Sequence, residues 1–376
     1  MFDQKTNKLN NKILFVNQGF ELYGSDRMLL LNIRAAQIKY PEKRIVIVLP
    51  RRGTLSDYLE KEFGDITITI KRIGVIRKND LKHLNFYVFL RIFIFFRLIP
   101  FFNSFDLVYI NSIVAIDCIL ALRYCKVHSF IHVHELPIGL SRSIFSRLLN
   151  FSRSDLIFVS EAAQKAYINL RNKKQFIVWN GCKSYNKLEN SSQNKDIINI
   201  LLLGRISYRK GHHVLIKAIS LLPTNYQKNL KLKIVGDVYL KQNKLKTMLT
   251  DMVVKNNLQH IIEFQSFTSN PEILYNWANV VAIPSVLPES FGLVAIEAMS
   301  VGKLVLAANI GGFNEIIEKN VNGMLFEPGN ENDLAAKIIE LIENPHLIQD
   351  IGNKGLEVFQ DKFSEETYLN KLTEII

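Results

Sequence analysis

Pro284-Ser-Val-Leu-Pro-Glu289-Ser-Phe-Gly292-Leu-Val-Ala-Ile-Glu297-Ala-Met299 follows the apolar run 280–283. It breaks at two prolines and a glycine and resumes with helical spacing from about Gly292, which reads as strand, loop, helix. At ~3.6 residues per turn, Glu289 falls in the loop just ahead of the helix and Glu297 about a turn and a half inside it. Main-chain N–H groups of Phe291, Gly292 and Leu293 at a helix start suit a phosphate, and the two carboxylates accept hydrogen bonds from hydroxyls. A ligand with both kinds of group is a nucleotide sugar. An ordinary helix cap with a surface glutamate fits the same spacing, so the rest of the chain decides.

Glu289-x7-Glu297, preceded by Pro-Ser and followed by Ala-Met, resembles the signature of the retaining glycosyltransferases of family 4, which have the GT-B fold. The resemblance implies that Glu289 contacts hydroxyls of the donor sugar and that Glu297 holds the ribose.

The chain has 376 residues, enough for two domains with separate cores. Its start, Met1-Phe-Asp-Gln-Lys-Thr-Asn-Lys8, has no apolar segment behind a basic region, so no secretory signal peptide is expected. Cys118, Cys125 and Cys182 follow no metal-ligand spacing and read as buried thiols of a reducing compartment. Residues 1–185 hold 28 Lys and Arg against 14 Asp and Glu, whereas residues 186–376 hold 19 against 21. The whole positive excess therefore lies in the first half, which points to an acidic partner, either an anionic membrane surface or nucleic acid. A nucleic-acid-binding protein would interleave aromatics and cations on an exposed surface, but the aromatics here fall in strand and helix cores, so no nucleic acid is expected.

From the amino terminus, an apolar strand at 12–17 leads through Gly19 and Tyr23-Gly24-Ser25 into a helix over 27–36. Glycines let a backbone approach a ligand, and Gly24 is a candidate donor-site residue, although the loop departs from the commoner Gly-Gly pair of the family. Strand at 44–49, helix at 54–63 and strand at 66–70 continue the alternation. Residues 84–102 are long and apolar, but Arg91 and Arg97 interrupt them, and a central arginine costs ~2.5–3.5 kcal/mol on insertion scales. A membrane span is rejected. Two readings stay open: a helix packed on the sheet, or an aromatic face bedded among anionic headgroups beside Lys78, Lys82, Arg91 and Arg97.

A strand at 105–111, a helix at 115–123 and a strand ending in His132-Val-His134-Glu135-Leu-Pro137 come next. Polar side chains at the carboxyl ends of parallel strands face the ligand crevice of an open α/β sheet. The family has a His-Glu or His-Asp pair here, so His134 is the candidate for the sugar face, with Glu135 second and His132 assigned to the opposite strand face. Strand 155–160, helix 161–170 and Phe176-Ile-Val-Trp-Asn180-Gly181 close a first domain over 1–182, and the Lys-, Asn- and Ser-rich residues 183–196 read as a linker.

The second domain, 197–355, opens with a buried strand into Gly204-Arg205-Ile-Ser-Tyr-Arg209-Lys210-Gly211 and a helix at 213–222. The match to the family's Gly-Arg and Lys-Gly pattern implies that Arg205 and Lys210 contact the pyrophosphate, where cations neutralise the leaving group's charge. Gly204 and Gly236 end strands where a nucleotide approaches the backbone. No Asp-x-Asp occurs anywhere, in keeping with a leaving diphosphate stabilised without a metal, and no cofactor is expected. Helical spacing runs from 331 to the end, and in the family the last helix, here 356–376, crosses back to the first domain.

The resemblance thus implies an α/β GT-B chain of two Rossmann-like domains facing across a cleft. Its expected reaction is retaining transfer from a UDP- or GDP-sugar to a glycan or lipid-linked acceptor, in the cytoplasm or peripherally on the inner face of the membrane. Two other readings are a GT-B nucleotide-sugar epimerase or hydrolase, which needs further carboxylates to deprotonate the sugar, and an inactive partner of a glycan synthase.

Overall fold

A computed structural model describes residues 11–21, 24–71, 94–171, 174–186, 196–238, 243–268 and 270–376. The chain divides into two compact units, one comprising 1–179 with 368–376 and the other 180–367.

The first unit is built on seven parallel strands: β1 (Lys12–Val16), β2 (Arg44–Leu49), β3 (Thr67–Ile70), β4 (Leu107–Ile110), β5 (His128–Val133), β6 (Asp155–Phe158) and β7 (Gln175–Ile177). Their spatial order is β3-β2-β1-β4-β5-β6-β7. The strand sequences, such as ILFV and LVYI, are continuous apolar runs because helices cover both faces of a parallel sheet. Phe15, Tyr109, Phe130 and Phe158 are fully buried in this core. The second unit has six parallel strands: β8 (Ile198–Leu203), β9 (Leu230–Val235), β10 (Ile262–Gln265), β11 (Val280–Ile283), β12 (Leu304–Ala308) and β13 (Met324–Phe326), in the order β10-β9-β8-β11-β12-β13. Ile200, Leu202, Ile234, Val280 and Leu306 carry its core, against Val214 and Leu215 of one helix and Leu334 and Ile338 of another.

In each sheet the order reverses beside the first strand, at β1/β4 and at β8/β11. Chains leave those neighbouring strands toward opposite sides, which opens a crevice at their carboxyl ends. The expected strands all form, with ends within two residues of expectation. Several helices differ. The helix after β6 is Glu161–Lys165 instead of 161–170, because Tyr167 turns inward to donate its hydroxyl to the Glu135 carbonyl and Asn169 adopts φ of 50°. The helices Leu140–Phe151 and Asn243–Lys255 were not expected. The carboxyl-terminal helical tract breaks at Asn344-Pro345 and again near Ser364, and its last segment, Glu365–Ile375, begins in the second unit and ends in the first. There Tyr368 donates to Asn32 Oδ1, and Lys371 Nζ lies 5.3 Å from the Trp179 ring centre.

Of the expected 84–102 segment, residues 84–93 lie outside the described residues, as do Lys78, Lys82 and most of the linker. Residues 94–102 are helical and bury Leu98 and Phe102. Among the described residues no helix is long and apolar enough to cross a membrane. Cys118 and Cys125 are buried, and burial pushes the Cys125 thiol up to about 11, so neither is a ready nucleophile.

Candidate active site

The second unit's crevice is assembled by close backbone contacts that only glycine allows. After β8 the chain passes Gly204 and makes a single 3-10 turn, Tyr208–Lys210, before Gly211 at φ of 69° starts the helix His212–Ser220. A methyl group on Gly211 would lie 1.6 Å from the Pro284 carbonyl oxygen, so this turn sits directly on the segment leaving β11. Val286 N–H donates to the Arg209 carbonyl at 2.9 Å, and the Arg209 guanidinium donates to the Pro288 carbonyl.

This packing delivers Lys210 to Glu289. Lys210 Nζ lies 2.6 Å from Glu289 Oε1 and 2.9 Å from Oε2, and Ser285 Oγ donates to Oε1 at 2.7 Å. Burial works to raise the Glu289 pKa, but the charge and hydrogen bond of Lys210, with the Ser285 hydroxyl, outweigh it and hold the carboxyl below its ordinary value. Glu289 is therefore an anion at neutral pH. Its backbone is fixed from the other side: Gly312 N–H donates to the Glu289 carbonyl at 2.8 Å, and a methyl group on Gly311 would stand 2.5 Å from that oxygen.

Gly204 and Gly236 close the ends of β8 and β9 at φ of 148° and 149°, and a methyl group on Gly236 would meet the Gly204 carbonyl oxygen at 2.1 Å. Arg205 follows, exposed. Phe291 and Gly292 offer a ligand only main-chain atoms, since the Phe291 ring is buried against Phe363 and Gly292, at φ of 125°, faces the Phe313 ring, while Leu293 is partly exposed. The helix they open, Leu293–Met299, has seven residues. Glu297 is only 4% exposed and accepts a hydrogen bond from Tyr275 Oη at 2.6 Å, and Tyr275 stacks on Tyr185.

The first unit's crevice holds a buried polar chain at the ends of β1, β4 and β5. Asn17 Nδ2 donates to the Gly19 carbonyl at 3.2 Å and to Asp26 Oδ1 at 2.9 Å. Asn111 Nδ2 donates to the Ser25 carbonyl at 3.0 Å and to Asn17 Oδ1 at 2.9 Å. Carbonyl oxygens only accept, so both amides are oriented, and Asn111 Oδ1 must accept from Asn32 Nδ2 at 3.0 Å and from His134 Nε2 at 3.1 Å. His134 is thus the Nε2–H tautomer, with its Nδ1 lone pair as an acceptor. Burial pushes its pKa down to about 3, so the ring is neutral at physiological pH.

His132 does not take the opposite face of the strand. Its ring centre is 4.2 Å from that of His134, as alternate residues of a strand must share a side. Tyr109 Oη lies 2.9 Å from His132 Nδ1 and Asn32 Nδ2 3.3 Å from it, and burial lowers the pKa of this ring too. Glu135 is an internal clamp, accepting from Ser112 Oγ and from the His134 and Ile113 N–H groups, while burial raises its pKa. Gly24 is exposed and begins the Gly24–Lys39 helix, and the close approach in this loop falls to Gly19, where a methyl group would lie 1.8 Å from Asp26 Oδ1. Sequence reading passed over Asn17, Asn111, Ser285 and Tyr275. The first three stand just past apolar strands, which is the position that carries function in such sheets.

Among the described residues, no group of three or more His, Cys, Asp or Glu is placed to hold a metal ion. Comparison with known proteins places the second unit. Residues 185–358 match the family model "Glycosyl transferases group 1". An uncharacterized glycosyltransferase of Methanocaldococcus jannaschii, MJ1178, is 38% identical over 168 residues, 44% of each chain. The lipopolysaccharide 1,2-N-acetylglucosaminetransferase of Salmonella typhimurium is 29% identical over 185 residues, 48% of each. These matches span about half the length of those relatives. The crystal structure of Anabaena Alr3699/HepE in complex with UDP and glucose superposes with a TM-score of 0.79 at 23% identity, covering 96% of this chain and 98% of that one. Residues 185–358 therefore belong to the glycosyl transferases group 1 family, and the two parallel-sheet units carry the GT-B fold of its glycosyltransferases.

Proposed function

We propose that this chain transfers a glycosyl unit, with retention at the anomeric carbon, from a UDP- or GDP-sugar to a glycan or lipid-linked acceptor in bacterial surface polysaccharide or glycolipid synthesis. The observation that carries the reading is the Lys210–Glu289–Ser285 cluster at the β8/β11 crevice, in a domain of the group 1 family. The Salmonella relative is named for lipopolysaccharide synthesis, and the Anabaena protein was crystallised with UDP and glucose, so UDP-sugars are the donors to test first.

In this reading Lys210 and Arg205 meet the diphosphate. The bond from the anomeric carbon to the phosphate oxygen breaks, the electron pair leaves with the diphosphate, and the cations stabilise the charge that develops there. The acceptor hydroxyl attacks from the same face and gives its proton to the departing phosphate oxygen. In the same reading Glu289, whose carboxylate is held by Lys210 and Ser285, accepts hydrogen bonds from the sugar. Glu297, held by Tyr275, takes the ribose, and His134 offers Nδ1 to a sugar hydroxyl.

The test is a thermal-shift series with UDP, GDP, ADP and CMP, followed by turnover of the stabilising nucleotide's sugars and NMR of the product anomer. A ligand that binds only the folded chain raises its midpoint by mass action. Lys210→Ala should fold normally and lose about 10²–10³ in turnover, the cost of removing one preorganised charge-stabilising donor. Near-normal turnover in that variant would refute the role, and an inverted anomer would refute retention. Isomerised sugar without transfer would favour the epimerase.

A further inference from the structure

A cavity of about 670 Å³ lies in the first unit, lined by Arg123, Arg147, Arg153 and Arg171 together with serines and asparagines. Arg123 precedes β5, Arg153 precedes β6 and Arg171 precedes β7. In a parallel sheet these positions share the amino-terminal edge, opposite the edge that carries Asn17, Asn111 and His134. The cavity is therefore separate from the crevice described above. Among the described residues its lining contains no carboxylate, and none of the four guanidiniums is ion-paired.

The walls are held by hydrogen bonds. Asn150 accepts from Arg171 N–H at 2.8 Å and donates to the Asn169 carbonyl at 2.9 Å, and Ser146 Oγ accepts from Ile168 N–H at 2.9 Å. Four like charges gathered in one concavity repel one another, and a phosphate group, which takes guanidinium forks in bidentate fashion, relieves that repulsion.

A run of aromatic rings leads away from the same cavity. The Arg123 guanidinium lies 5.6 Å from the Phe151 ring centre; Phe151 is 6.2 Å from Tyr124, Tyr124 is 5.5 Å from Phe95, and Phe95 is 5.4 Å from Phe96. Phe96 is 64% exposed and Tyr124 58%. Exposed aromatics contiguous with cations have the composition of a surface that lies at a membrane interface.

We propose that this edge is a membrane-docking site, in which the phosphate of an anionic phospholipid headgroup enters the arginine cavity while Phe96, Tyr124 and Phe151 enter the boundary between headgroups and acyl chains. A soluble phosphate compound would satisfy the guanidiniums but leave the aromatic run in water. The site shares no residue with the transfer reading and stands or falls separately from it.

Flotation of the full chain with vesicles tests it. Phosphatidylcholine vesicles containing phosphatidylglycerol should carry the protein, and vesicles of phosphatidylcholine alone should not. At about fivefold in partitioning per cation near an anionic surface, Arg147→Gln combined with Arg153→Gln should weaken binding about 25-fold. Phe96→Ser with Tyr124→Ser should weaken it severalfold with all four arginines intact. Thermal melts of both variants show whether the fold is retained, and only variants with wild-type midpoints are scored. Equal binding by wild type and the arginine variant, or equal uptake on phosphatidylcholine alone, overturns the proposal. So does arginine-dependent stabilisation by inorganic pyrophosphate without vesicle binding, which would assign the cavity to a soluble phosphate compound.

Discussion

His134 illustrates how far a single side chain's chemistry is set by its neighbours. Its ordinary pKa of 6.5 falls to about 3 in the folded chain, and His132 against it shifts the same way. Between those two pH values the unfolded chain binds a proton on His134 that the folded chain does not. Stability therefore increases with pH across this window and is lost as pH falls from 6.5 toward 3, by up to ~1.36 kcal/mol per pH unit for each such group. Urea midpoints measured from about pH 7 down to about pH 4 should decline accordingly, and His134→Gln, which cannot take the proton, should flatten the decline in part. An unchanged slope in that variant would mean that His134 does not titrate as its surroundings dictate. The same neutrality bears on the proposed transfer, in which a ring that is neutral at physiological pH does not serve as a general acid.

At the scale of elements, glycines decide how closely strand ends and turns approach. Gly236 and Gly329 both have positive φ, but a methyl group on Gly236 meets the Gly204 carbonyl oxygen at 2.1 Å, whereas one on Gly329 meets nothing within 4 Å. Gly329→Ala should cost only the ~1–2 kcal/mol of a left-handed alanine. Gly236→Ala adds a main-chain collision to that strain and should cost more than 3 kcal/mol, or displace β8 from β9, measured as the difference in chemical-denaturation midpoints. Equal costs for the two variants would show that the strand ends relax freely. Strands were legible in the sequence because parallel strands buried on both faces are unbroken apolar runs, as in Ile198–Leu203 and Val280–Ile283. Helix ends were less legible. The helix after β6 stops early because Tyr167 finds the Glu135 carbonyl 32 residues away, which no local pattern announces. The helix Leu140–Phe151 did leave a trace, with apolar residues at 140, 144, 145, 148 and 149, and went unread because its amphipathic face is interleaved with serine and arginine.

For the whole molecule, motifs singled out individual candidate residues, but which of them meet in the fold could not be read from them. Lys210 and Glu289 are 79 residues apart and Asn17 and Asn111 are 94 apart; each pair meets because β8 lies beside β11 and β1 beside β4, a strand order that the alternation of strands and helices leaves open. The division into units has a further consequence for ligand response. Residues 180–367 form one uninterrupted unit carrying Lys210, Glu289 and Glu297, whereas His134 and its asparagines belong to the other. A nucleotide bound as proposed should slow amide exchange only around 204–211 and 285–297, since local opening is suppressed where contacts are made. An intact nucleotide sugar should add protection around 132–135 and 17–26, where His134 and the Asn17–Asp26 pair lie. Hydrogen-exchange mass spectrometry with UDP and with UDP-glucose distinguishes the two contributions. Protection near His134 with UDP alone would mean that this residue responds to the nucleotide and would remove it from the sugar face, and no protection there with either ligand would leave it a structural imidazole of the first unit.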